Sequence, residues 1–142
     1  MALTTGERLA RLRDVPLFRG CAEPSLTRLA DRTSEVDFRP GASIVQQGQV
    51  GNGLFVVVAG TARVVSGDHV LAQLGPGAVI GELSVIDQEP RVASVVALEP
   101  VVCLALASWD LLAILDTDPQ LARNLLSELA GRLRAADARI GQ

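Results

Sequence analysis

Two side chains in the middle of this chain are placed to do recognition chemistry. Glu82 follows Gly81, and Arg91 stands nine residues later at the entry to an apolar run. Around them the segment reads Gly75-Pro-Gly-Ala-Val-Ile-Gly-Glu-Leu-Ser-Val-Ile-Asp-Gln-Glu-Pro-Arg-Val-Ala-Ser94. Glycines at 75, 77 and 81 let the backbone turn sharply and admit a ligand without interference from Cβ atoms. Glu82 to Ile86 fits one short helical turn opening at Gly81, and the unpaired N–H groups of such a turn cradle anions. Apart from His69, Arg91 is the only basic side chain between residues 64 and 122. An arginine in an apolar sandwich is costly to bury without an anion, and its fork of donors matches two oxygens of a phosphate or carboxylate. A structural reading competes with that one: a salt bridge from Arg91 to Glu82, Asp87 or Glu89, or plain solvent exposure at a loop end.

The segments that must position this pair run helix, strands, helix. Residues 5–13 fit a short amphipathic helix, broken by Val15-Pro16-Leu17-Phe18, and Pro24 opens a second over roughly 23–32. From residue 34 short β-rich runs take over, at about 34–38, 42–46, 54–59, 61–65, 70–74, 92–98 and 101–106. Turn residues divide them, among them Arg39-Pro40-Gly41, Gly51-Asn52-Gly53, Ser66-Gly67-Asp68 and Gly75-Pro76-Gly77. That spacing predicts a sandwich or jelly roll. Ser108 is a plausible N-cap for a helix from Trp109 to Leu115, and Asp118-Pro119 opens another running to about Ile140. Leu121, Leu125, Leu129, Leu133, Ala136 and Ile140 line one side of that last helix. The stripe packs on the strands along its length or, in its outer part, forms a dimer seam.

Composition narrows the function. At 142 residues the chain makes one domain with one core, and 49% of it is apolar. No apolar run is long enough to span a bilayer, and the N-terminus is charged where a signal peptide is apolar, so a soluble, cytoplasmic protein is expected. All thirteen basic residues are arginine, and the net charge of −3 forces no basic face for nucleic acid. His69 is the single histidine, and Cys21 and Cys103 lie far apart. A metal site built on two or three imidazoles is excluded, as in metal-binding cupins, and no nucleophile–base pair is visible for an enzyme.

The segment from Gly75 to Ser94 resembles the phosphate-binding cassette of the cyclic-nucleotide-binding domain family, found in catabolite activator proteins, cyclic-nucleotide-dependent kinase regulatory subunits and gated channels. Gly81-Glu82-Leu83-Ser84, a loop, and Arg91-Val92-Ala93-Ser94 match its pattern. Pro40-Gly41, Gln47-Gly48, Phe55 to Gly60 and Leu17-Phe18 resemble its other turns and strands. The resemblance implies an α+β fold: a β jelly-roll over residues 34–107, with N-terminal helices over 1–33 and C-terminal helices over 108–142. It implies that Glu82 accepts from a ribose 2′-hydroxyl and that Arg91 holds the exocyclic phosphate. Backbone N–H groups around Leu83, Ser84 and Val92 would complete the cradle, which also includes Gly81 and Ala93.

Val92 stands where several members carry Ser or Thr, a hydroxyl that favours cyclic GMP, so cyclic AMP is the expected ligand, with cyclic GMP weaker. With no tyrosine and only Phe18, Phe38 and Phe55, the purine is expected to rest on aliphatic walls such as Val58, Leu71 and Leu74. The last helix caps it, with Arg134 and Asp137 near its end, and Asp137 is a candidate acceptor for the adenine amino group. No cofactor or metal is expected. A homodimer through the last helix and a fused or separate output domain are the partners that follow. The competing reading is an interaction or dimerisation module that has kept the roll and binds no nucleotide.

Overall fold

The computed structural model describes the backbone of residues 2–140 and the side chains of residues 2–138. α1 (Thr5–Arg13) starts in a capping box, in which the Glu7 N–H donates to Thr4 Oγ1 and the Thr4 N–H to the Glu7 carboxylate. A 3-10 turn (Pro16–Phe18) and α2 (Glu23–Arg32) follow. The strands are β1 (Ser34–Phe38), β2 (Ser43–Val45), β3 (Gly53–Ala59), β4 (Ala62–Ser66), β5 (His69–Leu74), β6 (Val79–Ile80), β7 (Ser94–Ala97) and β8 (Val101–Ala107). α3 (Glu82–Asp87) interrupts them, and α4 (Ser108–Thr117) and α5 (Pro119–Ile140) close the chain. The strands pair antiparallel in two four-stranded sheets, ordered β1-β8-β3-β6 and β2-β7-β4-β5. This is the α+β roll expected from the sequence.

Residue types explain the layering. β3 (GLFVVVA) and β8 (VVCLALA) are almost wholly apolar because their sheet is covered on both faces. Val56, Val58, Leu104 and Leu106 point to the helices, where Leu12, Phe18, Leu29, Leu111, Ile114 and Leu121 meet them. Val57, Val101 and Cys103 point the other way, into the roll, against Ile44, Ala62, Ile80, Val95 and Ala97. β5 is the edge of the second sheet and is exposed along most of its length, Leu71 included.

Three local expectations are corrected. The strand expected over 92–98 begins only at Ser94, because Val92 and Ala93 form a bend that turns Val92 to solvent, 86% exposed. β6 is an additional strand; two residues after a Gly-Pro-Gly turn give no readable alternation. Ser108 does not cap α4 from outside. Ala107 holds the cap position and Ser108 is the first helical residue, its N–H donating to the Asn52 carbonyl at 2.7 Å. Its hydroxyl is buried without a partner.

Asp118 ties the start of α5 to the N-terminal helices. Its carboxylate accepts from the Ser25 hydroxyl at 2.7 Å, from the Ala22 N–H at 3.0 Å and from the Gln120 N–H at 3.1 Å. It thereby ties down the start of α2, whose own cap residue, Ala22, has no polar side chain. The Ser25 and Ala22 bonds hold the Asp118 carboxyl below the ordinary aspartate value of 3.8. A depressed folded pKa contributes stability that is complete above the unfolded value and lost as pH falls through the folded one. Asp118→Ala is therefore expected to cost about 0.5–1.5 kcal/mol in urea unfolding at pH 7, the net worth of hydrogen bonds to donors that are only part-buried. The gap to wild type should narrow in acid, below the ordinary value of 3.8.

Candidate functional site

The site is built where β6 hands over to α3. Gly81 takes a left-handed conformation (φ +89°) that only glycine adopts without strain, turning the chain directly into the helix. The cap residue Gly81 offers no side chain to the first N–H groups of α3. Gln88, also left-handed, ends the helix with its N–H on the Ser84 carbonyl. The chain then runs back alongside the β2–β3 loop: the Arg91 N–H donates to the Gln49 carbonyl and the Gly48 N–H to the Arg91 carbonyl, each at 2.8 Å.

This rung fixes the backbone of Arg91, and two glycines fix its side chain. A Cβ at Gly51 or at Gly81 would overlap the guanidinium. Between them Arg91 is 7% exposed. Its Nη2 donates to the Gly53 carbonyl at 2.8 Å, while Nη1, beside Gly81, is buried with no partner. Among the described residues no carboxylate pairs with it, so neither the salt bridge nor the exposure of the structural reading holds. Burial pushes the guanidinium pKa below its ordinary value, and nearby Glu82 opposes that shift. A buried guanidinium with a free donor has the chemistry that an anion would satisfy.

Glu82 is 2% exposed. Burial pushes its carboxyl pKa up, Arg132 of α5 draws it down, and the Glu128 carboxylate pushes it up again. Arg132 Nη2 donates to Glu82 Oε1 and, at 2.7 Å, to Glu128 Oε1. Glu82 and Arg91 share a cleft of about 240 Å³ with Gly81, Leu83, Ser84, Val92 and Ala93, walled by Val45, Val64, Leu74, Val79 and Val95 and closed by Arg132. It offers a cation, an acceptor and aliphatic walls, which suits a ligand with an anion, a hydroxyl and an apolar ring system.

The cassette residues singled out in the sequence thus meet in one cleft, and Leu74 lines it with them. Four others lie elsewhere. Val58 is packed among the helices on the far side of β3; Val45 of β2 and Val64 of β4 supply the walls. Leu71 is 59% exposed on the outside of β5. Arg134 and Asp137 are exposed on α5 and do not line the cleft; Arg132 occupies the position expected of them. Arg132 was legible only as an i,i+4 partner of Glu128, a pattern that ordinary surface ion pairs share. Among the described residues no three of His, Cys, Asp or Glu gather as a metal site, and no helix is long and apolar enough to cross a membrane.

The family profile "Cyclic nucleotide-binding domain" matches residues 35–118, from β1 to the start of α5. The chain belongs to that family. This cyclic nucleotide-binding domain is 37% identical to the Cyclic AMP receptor protein of Thermus thermophilus over 86% of its own length and 59% of the relative's. The crystal structure of the Thermus thermophilus Catabolite Activator Protein superposes with a TM-score of 0.81 at 36% identity, covering 89% of the domain and 62% of that chain. The regulatory domain of Toxoplasma gondii PKA with cAMP gives 0.79 at 25% identity, over 90% and 50%. The domain therefore spans about three-fifths of the Thermus thermophilus relative, 59% of its sequence and 62% of the solved chain.

Proposed function

We propose that the domain is a non-enzymatic sensor of cyclic AMP, with cyclic GMP bound more weakly, and that binding repositions α5 to signal to a fused or separate output partner. The observation that carries this reading is the unpaired, buried Nη1 of Arg91 in the same cleft as the buried Glu82 carboxylate. In the proposed complex Arg91 donates Nη1 to an exocyclic phosphate oxygen, beside the N–H groups at the start of α3. Glu82 accepts from the ribose 2′-hydroxyl once Arg132 yields it. The purine lies on Val45, Val64 and Leu74. Val92 brings no hydroxyl for guanine, and the relative named a cyclic AMP receptor and the neighbour solved with cAMP favour the adenine nucleotide.

An anion whose oxygens replace none of the protein's own bonds should stabilise the fold by mass action. A ligand that binds only the folded state adds about 2.7 kcal/mol at one hundred times its dissociation constant, or roughly 5–11 °C in Tm. Cyclic AMP is expected to give such a shift, cyclic GMP a smaller one and 2′-deoxy cyclic AMP little. Equal shifts for the deoxy nucleotide would remove Glu82 from the recognition.

The proposed output runs through α5. Leu121 and Leu125 are buried, whereas Leu126, Leu129 and Leu133 are exposed at 66%, 39% and 63%. The expected stripe therefore divides: its first two turns pack on the domain, and from Leu126 an apolar face is left uncovered. The side chain of Ile140 lies outside the described residues. A second copy, presenting the same face antiparallel or parallel, is the proposed occupant, which makes the sensor a homodimer.

A further inference from the structure

Arg132 serves two carboxylates at once, and only one of them belongs to the cleft floor. Glu82 comes from α3 and is 2% exposed; Glu128 stands one turn before Arg132 on α5, with its side chain 34% exposed. The same Nη2 donates to both. The order Glu then Arg, four residues apart, is the favourable direction for a helical ion pair. With Arg91, the four charged side chains around the cleft carry no net charge. A cyclic nucleotide brings one negative charge into that balance.

Glu128 also sits where α5 leaves the core. Toward the N-terminal side Asn124 donates to the Leu17 and Arg19 carbonyls at 2.8 Å each, bolting the first turns to the 3-10 segment. Beyond Asn124, among the described residues, the side-chain hydrogen bond from α5 to the rest of the domain is the one from Arg132 to Glu82. Glu128 orients that arginine and neutralises it.

We propose that Glu128 is the affinity-setting residue of the site: an anion built into α5 that neutralises Arg132 in the free domain, so that the nucleotide's charge enters a site with no positive excess. This rests on the nucleotide reading given above. Without Glu128 the free site is cationic and becomes neutral on binding; with it the free site is neutral and becomes anionic. The resident carboxylate thus raises the ligand concentration at which α5 is released.

The test is calorimetric titration of cyclic AMP into the full chain, comparing wild type, Glu128→Gln, Arg132→Gln and the double variant. Glu128 is a partly exposed helix position, so glutamine keeps the fold, and circular dichroism verifies it. Glu128→Gln is expected to bind about 3- to 10-fold tighter at low salt, with the gain shrinking as ionic strength rises. In the Arg132→Gln background the same change should give little gain, because Arg132 is what holds the Glu128 carboxylate toward the cleft. Binding by Glu128→Gln but not by wild type would be the same effect in stronger form. Unchanged or weaker binding by Glu128→Gln overturns the inference while leaving the nucleotide reading intact, and a full gain in the Arg132→Gln background overturns the part given to Arg132. Failure of every variant to bind millimolar cyclic AMP overturns the nucleotide reading, and the inference with it.

Discussion

Arg91→Ala is expected to remove most of the cyclic AMP affinity and leave the domain folded. The two halves of this result come from different atoms. Nη2 is committed to the Gly53 carbonyl, a single bond whose loss exposes one acceptor, and the alanine variant no longer has to bury a cation. Nη1 has no protein partner, so its contribution is made only to a bound anion. Truncating one side of a buried, charge-assisted contact costs about 2–5 kcal/mol, roughly 30-fold or more in affinity. Calorimetry gives the loss and circular dichroism the fold. An alanine variant that binds as tightly as wild type would remove Arg91 from the phosphate site, and one that unfolds would make it a structural residue instead.

Leu126→Glu combined with Leu133→Glu is expected to convert a homodimer to a monomer without unfolding it. Both leucines are more than three-fifths exposed, at 66% and 63%, so their burial has no part in the protomer's own core. Fully burying a leucine contributes about 1.5–3 kcal/mol, and a symmetric dimer buries four of these. Even partial burial leaves several kcal/mol to lose, and glutamates facing one another add repulsion. Sedimentation velocity at tens of micromolar should show the species halve in mass. A wild-type protein that sediments as a monomer, or a variant that sediments with wild type, would contradict the dimer.

What the sequence disclosed depended on how local each cause is. The Gly81-Glu82 turn and the isolated Arg91 were legible because a glycine at positive φ and a cation in an apolar run are read from a few residues. The layered roll was legible as well, since turn residues punctuate it and β3 and β8 are apolar on both faces. Parity was not. Whether Val57 or Val58 faces the roll depends on how β3 pairs with β8, including the register shift between Val57 and Ala59, which no single strand reveals. Leu71 failed for the same reason, across the irregularity in the β4–β5 pairing. The role of Arg132 is a tertiary fact: it follows from the angle at which α5 leaves Asp118, set by bonds to Ala22 and Ser25 almost a hundred residues earlier. Ser108 illustrates the opposite error, a good capping residue displaced by one position because its N–H is claimed by the Asn52 carbonyl.

The central claim is that a buried, unpaired arginine donor and a buried carboxylate form a site for a cyclic nucleotide. Titrating wild-type protein with cyclic AMP and, separately, with 5′-AMP tests it most directly, because the two ligands share a base and a ribose and differ in the ring closure of the phosphate. The account predicts saturable binding of cyclic AMP at one site per chain, with 5′-AMP at least about tenfold weaker, a difference of 1.4 kcal/mol or more. No heat at millimolar cyclic AMP, or equal binding of the two nucleotides, would contradict it.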